Sequence, residues 1–566
     1  MQRQWGGLES LAHVGRLLSV FACLSLQPLS PLSATDFFLT IGGGYKPEGN
    51  QASLEANVLF FQQVLLAKHS GGSSHAIFFA DGNDPQPDLQ VLKPKPKHDD
   101  SQANNQPVSK LLRQLYGSPD NADDNVEYRN HQIDNLSGPN LPQSIHAILQ
   151  QMCSKMLDGD RLIVYVTAHG GDAEGSNPYN TTISCWNDQE IAASEFEHWL
   201  DDVPLNVPVI MVMAQCYCGG FAHTIFDNAQ RHDGLADRVR VGFFAQQHDL
   251  PAAGCRPDIE NDEEYSSFFW GAFVGRSRTG KVEYNADFNR DGNISFAEAH
   301  AHAMLTSETI DIPLRSTEAL LRAFSRIAGY DHGGDRDNAK WNESDSGSLK
   351  TNDEFDDNGD GDPPDAEDGA ERIGNGASRS DGLASMTGRL DELIGGAEPE
   401  LQRTVEGLAK QLEIQLTEEV PTVFGLFQEQ RDVSRELRRM SWRVRRRGGS
   451  GRRQLRAEIS QQWPQLSAEN WNSAPVLYQT DQHELFEQIA KLPNFERFTD
   501  SIRRREQSQQ SQAQAELREV KFQRLVNTLE AIVLARNLER LADAKVVERY
   551  RAMLKLERSS LSAPSE

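Results

Sequence analysis

The chain has 566 residues, a formal charge of −26 and a mean hydropathy of −0.58. That length exceeds what one compact core holds, so two or more domains are expected. The acidic balance argues against nucleic acid as a partner. The low hydropathy excludes a multispan membrane protein, and after the N-terminus no run approaches the roughly 20 apolar residues a spanning helix needs.

Residues 1–34 read as an export signal. Arg3 and Arg16 supply positive charge, 17–26 is an apolar stretch, and 27–34 is rich in Pro, Ser and small residues suited to cleavage after Ala34. A periplasmic or secreted protein is expected; Phe21 fits poorly with a lipid anchor at Cys23. Loss of Cys23 leaves Cys153, Cys185, Cys216, Cys218 and Cys255. An odd remainder in an exported chain suggests a free thiol alongside any disulfides.

The first predicted strand is 36–41, ending in Gly42-Gly43-Gly44. Helical periodicity follows over 54–67, where Leu54, Val58, Phe61, Val64 and Leu65 share a face. A buried strand over 75–80 ends in the turn Asp81-Gly82-Asn83-Asp84. Residues 85–134 are polar and rich in Pro, Asp and Asn, and read as an insertion with little structure or a long surface loop. A short helix is expected over 144–156. Strand 162–166 then runs into His169-Gly170-Gly171, and a hairpin piece falls at 182–186. An amphipathic helix over 192–200 precedes strand 207–213, which runs into Cys216-Tyr217-Cys218-Gly219-Gly220. The reading continues with a helix over 221–230, a strand over 239–245, a loop over 246–265 and a last helix over 316–328. Strands alternating with helices imply α/β crossovers, hence a mostly parallel sheet with helices on both faces. This α/β domain is expected to span 35–332.

Residues 336–381 carry almost no large apolar side chains, so 333–382 reads as an acidic disordered linker. From 383 to 566 the texture is Leu, Glu, Gln, Arg and Ala at helical spacing, expected to be a separate all-α region interrupted at 448–451 and 464–475. Phe522, Leu525, Val526, Leu529, Ile532 and Val533 form one apolar stripe, read as bundle core. The basic stretch 435–456 faces solvent by default.

In an open α/β sheet, residues just past the carboxyl ends of parallel strands converge on one crevice. His169 and Cys216 both sit there, beside glycines. An imidazole and a thiol so placed are the minimum for a cysteine nucleophile with a general base. A helix starting straight after the cysteine would favour its thiolate. These residues resemble a family: caspase-like cysteine peptidases of the legumain type, including the catalytic subunit of GPI transamidase. The block 162–171, ending His169-Gly170-Gly171, and 213–221, centred on Cys216, carry the likeness, with 186–200, 125–135 and 79–83 adding to it. The resemblance implies Cys216 as nucleophile, His169 as base, and the backbone amides of Gly170 and Cys216 as oxyanion hole. It implies a thioester acyl-enzyme resolved by water (peptidase) or by an acceptor amine (transpeptidase), acting on a protein or peptide. Gln246 and Gln247 fall where the family builds a wall of its P1 pocket. The arginine that legumain peptidases carry after the first strand has no counterpart around 45–54. Cys218 stands where the family has serine and reads as a passive small residue, because a C-x-C disulfide would be strained.

Residues 287–298 match the EF-hand loop. Asp287, Asn289, Asp291 and Ser295 supply side-chain oxygens at positions 1, 3, 5 and 9, and Asn293 its carbonyl at 7. Gly292 falls at 6, Ile294 at 8, Glu298 at 12, and a helix over 296–304 follows. Calcium is therefore the expected ion. The related run 356–367 places Pro363 where an apolar residue belongs, and reads as linker. The contrasting expectation is a catalytically inactive calcium-binding scaffold that binds a protein partner through its C-terminal helices. A further one is self-capping, in which those helices cover the site and truncation raises activity.

Overall fold

The computed structural model describes residues 35–69, 73–92, 107–116, 126–253, 264–280, 285–329, 383–447, 449–467, 471, 474, 476–479 and 481–561. The export signal, Cys23, Cys255, the linker and the 356–367 run lie outside them.

Six strands form the main sheet: β1 (Asp36–Gly43), β2 (Ser73–Phe79), β5 (Arg161–Ala168), β9 (Val209–Met213), β10 (Arg240–Phe244) and β11 (Leu314–Arg315). Their order is β11-β10-β9-β5-β1-β2, and every pairing is parallel except that of β11. Burial on both faces is why these strands read as unbroken Val, Ile, Leu and Phe rather than as alternation. One face is covered by helix α1 (Ala52–Lys68) and helix α5 (Tyr265–Val274), where Phe61 packs on Trp270 and the Tyr165 hydroxyl meets Ser266 Oγ at 2.7 Å. On the other face, Met211, in register with Val164, meets Thr224 Oγ1. Helix α4 (Ala193–Leu200) reaches the same side through Glu197, which Arg240 joins to the Thr224 carbonyl. A small sheet of β6 (Gly170–Gly171), β7 (Thr182–Cys185) and β8 (Gln189–Ala192) sits beyond the carboxyl end of β5.

Helix α5 was absent from the expected elements. All of its first nine residues are buried, so it carries no amphipathic period to betray it. The helix expected over 221–230 is instead a 3-10 helix, Cys218–Ile225, followed by a short turn. Left-handed backbone at Asn228 (φ 54°) and Ala229 (φ 53°) stops any continuation. The 85–134 insertion also departs from expectation. Strands β3 (Leu89–Leu92) and β4 (Val126–Arg129) pair antiparallel, and helix α2 (Pro107–Tyr116) buries Val108, Leu111, Leu112 and Leu115.

The regular elements of the described C-terminal region are all helices. Its main helices are α9 (Pro399–Leu412), α10 (Val420–Arg447), α11 (Gly449–Gln462), α14 (Phe495–Leu541) and α15 (Ala544–Glu557). It does not stand apart from the α/β part: Phe522, Leu525, Leu529 and Ile532 share one continuous core with Ala299, Ala303 and Leu320. A second core joins helix α2 to Leu455, Ile459, Trp463 and Leu466. This changes the reading of the basic stretch. Arg452 and Arg456 donate to the Leu115 carbonyl at the C-terminus of helix α2 (2.6 and 2.9 Å), where cations suit the helix dipole. Arg438 pairs with Glu516 and Glu519.

Candidate active site

Strands β5 and β9 are neighbours, with Val166 opposite Met213, and so deliver His169 and Cys216 to the same end of the sheet. The two turns are in contact. A Cβ built on Gly170 would stand 2.3 Å from the Cys216 carbonyl oxygen and 2.8 Å from Gln215 Cγ, so only glycine lets these backbones approach. His169 and Cys216 are both half-buried.

The His169 imidazole is fixed by a segment 118 to 120 residues earlier. Its Nε2 lies 2.9 Å from the Gly49 carbonyl and 2.9 Å from Gln51 Oε1. A carbonyl can only accept, so Nε2 carries the hydrogen and the lone pair of the neutral ring sits on Nδ1. Tyr45 packs edge-on against the ring at 5.4 Å. Burial lowers the His169 pKa below its ordinary 6.5, partly offset by the Gly49 bond, so the ring is a neutral base at pH 7.

The Cys216 sulfur accepts from the Ala252 N–H (3.3 Å) and lies 3.7 Å from the Ala252 carbonyl. Tyr217 has left-handed backbone (φ 59°), which turns the chain into the 3-10 helix. The anticipated α-helix N-terminus behind the thiol is therefore replaced by a 3-10 turn. The Ser184 N–H donates to the His169 carbonyl at 2.9 Å while Gly170 pairs with Ile183. Antiparallel alternation then turns the Gly170 N–H away from strand β7.

Cys218 is buried, and its sulfur is held between the Gln246 carbonyl (3.5 Å) and the Gln246 N–H (3.3 Å). Burial pushes its thiol pKa up. Cys153, Cys185, Cys216 and Cys218 are all free thiols. Gln246 is buried too; its amide donates to the carbonyls of Pro251 and Ile310 and accepts from the Ile312 N–H (3.1 Å). The half-buried Gln247 lies against Gly219, where an added Cβ would stand 2.8 Å from Gln247 C.

In the 287–298 loop, Asp287 Oδ2 accepts from the Gly292 N–H (3.1 Å), and Asn289 and Asp291 accept from amides two residues on. Ser295 caps helix α6 (Phe296–Thr306), with Glu298 completing the capping box. Glu298 also accepts from the Phe288 and Asn289 amides (2.8 and 3.0 Å). Asp287, Asn289 and Asp291 thus present oxygens on a preformed turn. Glu298 would exchange four hydrogen bonds for an ion. Among the described residues, the ionisable groups that converge to within 4.8 Å as a possible ligand set are instead Glu197, His198 and Asp201. Arg240 already bonds Glu197 (2.7 Å) and Asp201 (2.6 Å), so that charge is met by a guanidinium.

No signal in the sequence pointed to Gly49, Gln51 or Ala252: Gly49 and Ala252 act through backbone groups, and Gln51 through a side chain brought to His169 only by the fold.

No protein-family model matches the sequence, and no curated protein matches it. Among solved structures, the chain is similar to a crystal structure of a protein from Geobacter sulfurreducens, at 11% identity, covering 50% of this chain and 92% of that one, with a TM-score of 0.27. A likeness of that size carries no argument about function.

Proposed function

We propose that the chain is an exported cysteine endopeptidase or transpeptidase, similar to the legumain type, using Cys216 and His169. The observation that carries this is the joining of the His169 and Cys216 turns at the ends of adjacent parallel strands, with Gly170 against the Cys216 carbonyl. The fixed tautomer supports it, since Nδ1 is the nitrogen left to act as base.

In the proposed reaction, the Cys216 thiol gives its proton to His169 Nδ1 and the sulfur attacks a peptide carbonyl carbon. The amides of Gly170 and Cys216 would stabilise the resulting oxyanion. The C–N bond then breaks, and His169 returns the proton to the leaving amine. Water or an acceptor amine, deprotonated by His169, attacks the thioester and releases the thiol. Gln246 is better placed to hold the 246–253 loop than to line a pocket, and Gln247 remains the candidate wall.

Calcium belongs to the same proposal. Asp287, Asn289, Asp291, the Asn293 carbonyl, Ser295 and Glu298 would hold it, and it would stabilise the loop without entering the chemistry.

A thiol-directed alkylating probe at neutral pH is expected to label Cys216. Cys216→Ala should abolish both labelling and cleavage of a peptide library, whereas Cys218→Ala should retain them. Labelling lost in Cys218→Ala but kept in Cys216→Ala would overturn the assignment. Labelling without any cleavage by the wild type would favour the inactive-scaffold reading.

A further inference from the structure

The apolar stripe of helix α14 is interrupted by Arg524, whose side chain is fully buried. Its guanidinium donates to four backbone carbonyls of one short strap. Nε reaches Asp311 O (2.8 Å), one terminal nitrogen reaches Met304 O and Ser307 O (2.9 Å each), and the other reaches Thr309 O (3.1 Å). Burying a cation is costly, and its neighbours Phe522, Leu525 and Leu529 show that an apolar residue would suit the stripe. What the guanidinium adds is the fixed placement of four carbonyls by a rigid planar fork.

That strap touches the nucleophile's loop at two points. The buried carboxylate of Asp311 accepts from the Ala253 N–H (2.8 Å) and from the Thr309 hydroxyl (2.7 Å). Gln246, at the other end of the loop, bonds Ile310 O and the Ile312 N–H. Ala253 is the neighbour of Ala252, which grips the Cys216 sulfur. A continuous bonded line therefore runs from helix α14 through the strap and residues 252–253 to the thiol.

We propose that Asp311 and Arg524 are positioning residues for Cys216, so that helix α14 of the C-terminal region is a built part of the active site rather than an appended module. This rests on the peptidase reading above, but its test does not.

The test uses the full-length protein. The rate of Cys216 alkylation is measured in the wild type and in Asp311→Ala, Asp311→Asn and Arg524→Lys, alongside thermal midpoints and, on a cleaved peptide, kcat and KM. Asp311→Ala leaves every carbonyl that Arg524 binds but removes the carboxylate that offsets that buried cation, so its rate is read at a temperature below the thermal midpoint measured for the variant. It should slow alkylation and lower kcat by about tenfold or more, with KM changed less than about threefold. Asp311→Asn keeps an acceptor for the Ala253 N–H and should restore most of the rate. Arg524→Lys, with three donors in place of five, should fall between. An unchanged alkylation rate in folded Asp311→Ala overturns the proposal, as does a fall that Asp311→Asn does not rescue. If alkylation follows this order while the wild type cleaves no peptide, the positioning role stands and the peptidase reading fails.

Discussion

At the scale of single residues, the site depends on which atoms are already committed. The Gly49 carbonyl takes the Nε2 hydrogen of His169, and burial keeps the ring neutral. Because the folded pKa lies below 6.5, the base stays competent as pH falls through that value. The acid limb of Cys216-dependent cleavage is therefore expected below pH 6.5. A pH profile whose acid limb lay above that point would contradict the assignment. Gly170 offers a second measurement. Gly170→Ala would drive a methyl into the Cys216 carbonyl, a backbone atom with nowhere to go. Overpacking of this kind costs about 1–3 kcal/mol. The thermal midpoint should fall, and alkylation of Cys216 should slow with it. Both His169 and Cys216 were legible as candidates, because each follows an apolar run and sits beside glycine. Their orienting partners were not, since Gly49 contributes only a carbonyl.

At the scale of elements, the strands were the best-marked features. Leu162–Val166 and Val209–Met213 are apolar without interruption because both faces are covered, and their bounds shift by only a residue or two. Helix α5 went unseen for the same reason, since a segment buried all round has no period. Helix α2 was hidden inside a polar insertion, and its partner surface lies more than 300 residues further along. The 287–298 loop is local, so its spacing of oxygen-bearing residues was fully legible. Calcium at 100-fold excess over its Kd should stabilise the fold by about 2.7 kcal/mol. Glu298→Gln can keep the capping box through its one remaining oxygen, but it turns an amide NH2 toward the Phe288 and Asn289 N–H groups and removes one charge at position 12. The variant's chelator-treated thermal midpoint should fall, since two amides lose their acceptor, and from that lower base it should lose most of the calcium-dependent rise. An equal rise in both proteins would exclude Glu298 as a ligand.

At the scale of the whole molecule, the helical region after 383 is bound into the α/β core. Beyond Arg524, Glu557 is buried and holds Arg315 (3.0 Å) and Thr317 (2.8 Å), while the Phe296 N–H donates to the Ser559 carbonyl (3.0 Å). Removing 383–566 would expose Ala299, Ala303 and Leu320 and leave Arg315 without its buried partner. Uncovering each large buried side chain costs about 1.5–3 kcal/mol. The truncated chain is therefore expected to lose solubility and alkylation at Cys216. A folded truncation product with raised activity would instead support self-capping. No described helix is long and apolar enough to cross a membrane, in line with the low hydropathy.

Local order was decided by the sequence alone. Apolar runs specify buried strands, glycines mark the turns where His169 and Cys216 sit, and oxygen-bearing residues at fixed spacing shape the 287–298 loop. Periodicity and turn chemistry act between residues a few positions apart, so they can be read along the chain. Only the tertiary structure decided that Gly49 orients His169, that Ala252 holds Cys216, and that Arg524 supports the strap beside them. Those contacts join segments far apart in sequence through backbone carbonyls and amides. Every residue type carries those groups, so no residue pattern announces them.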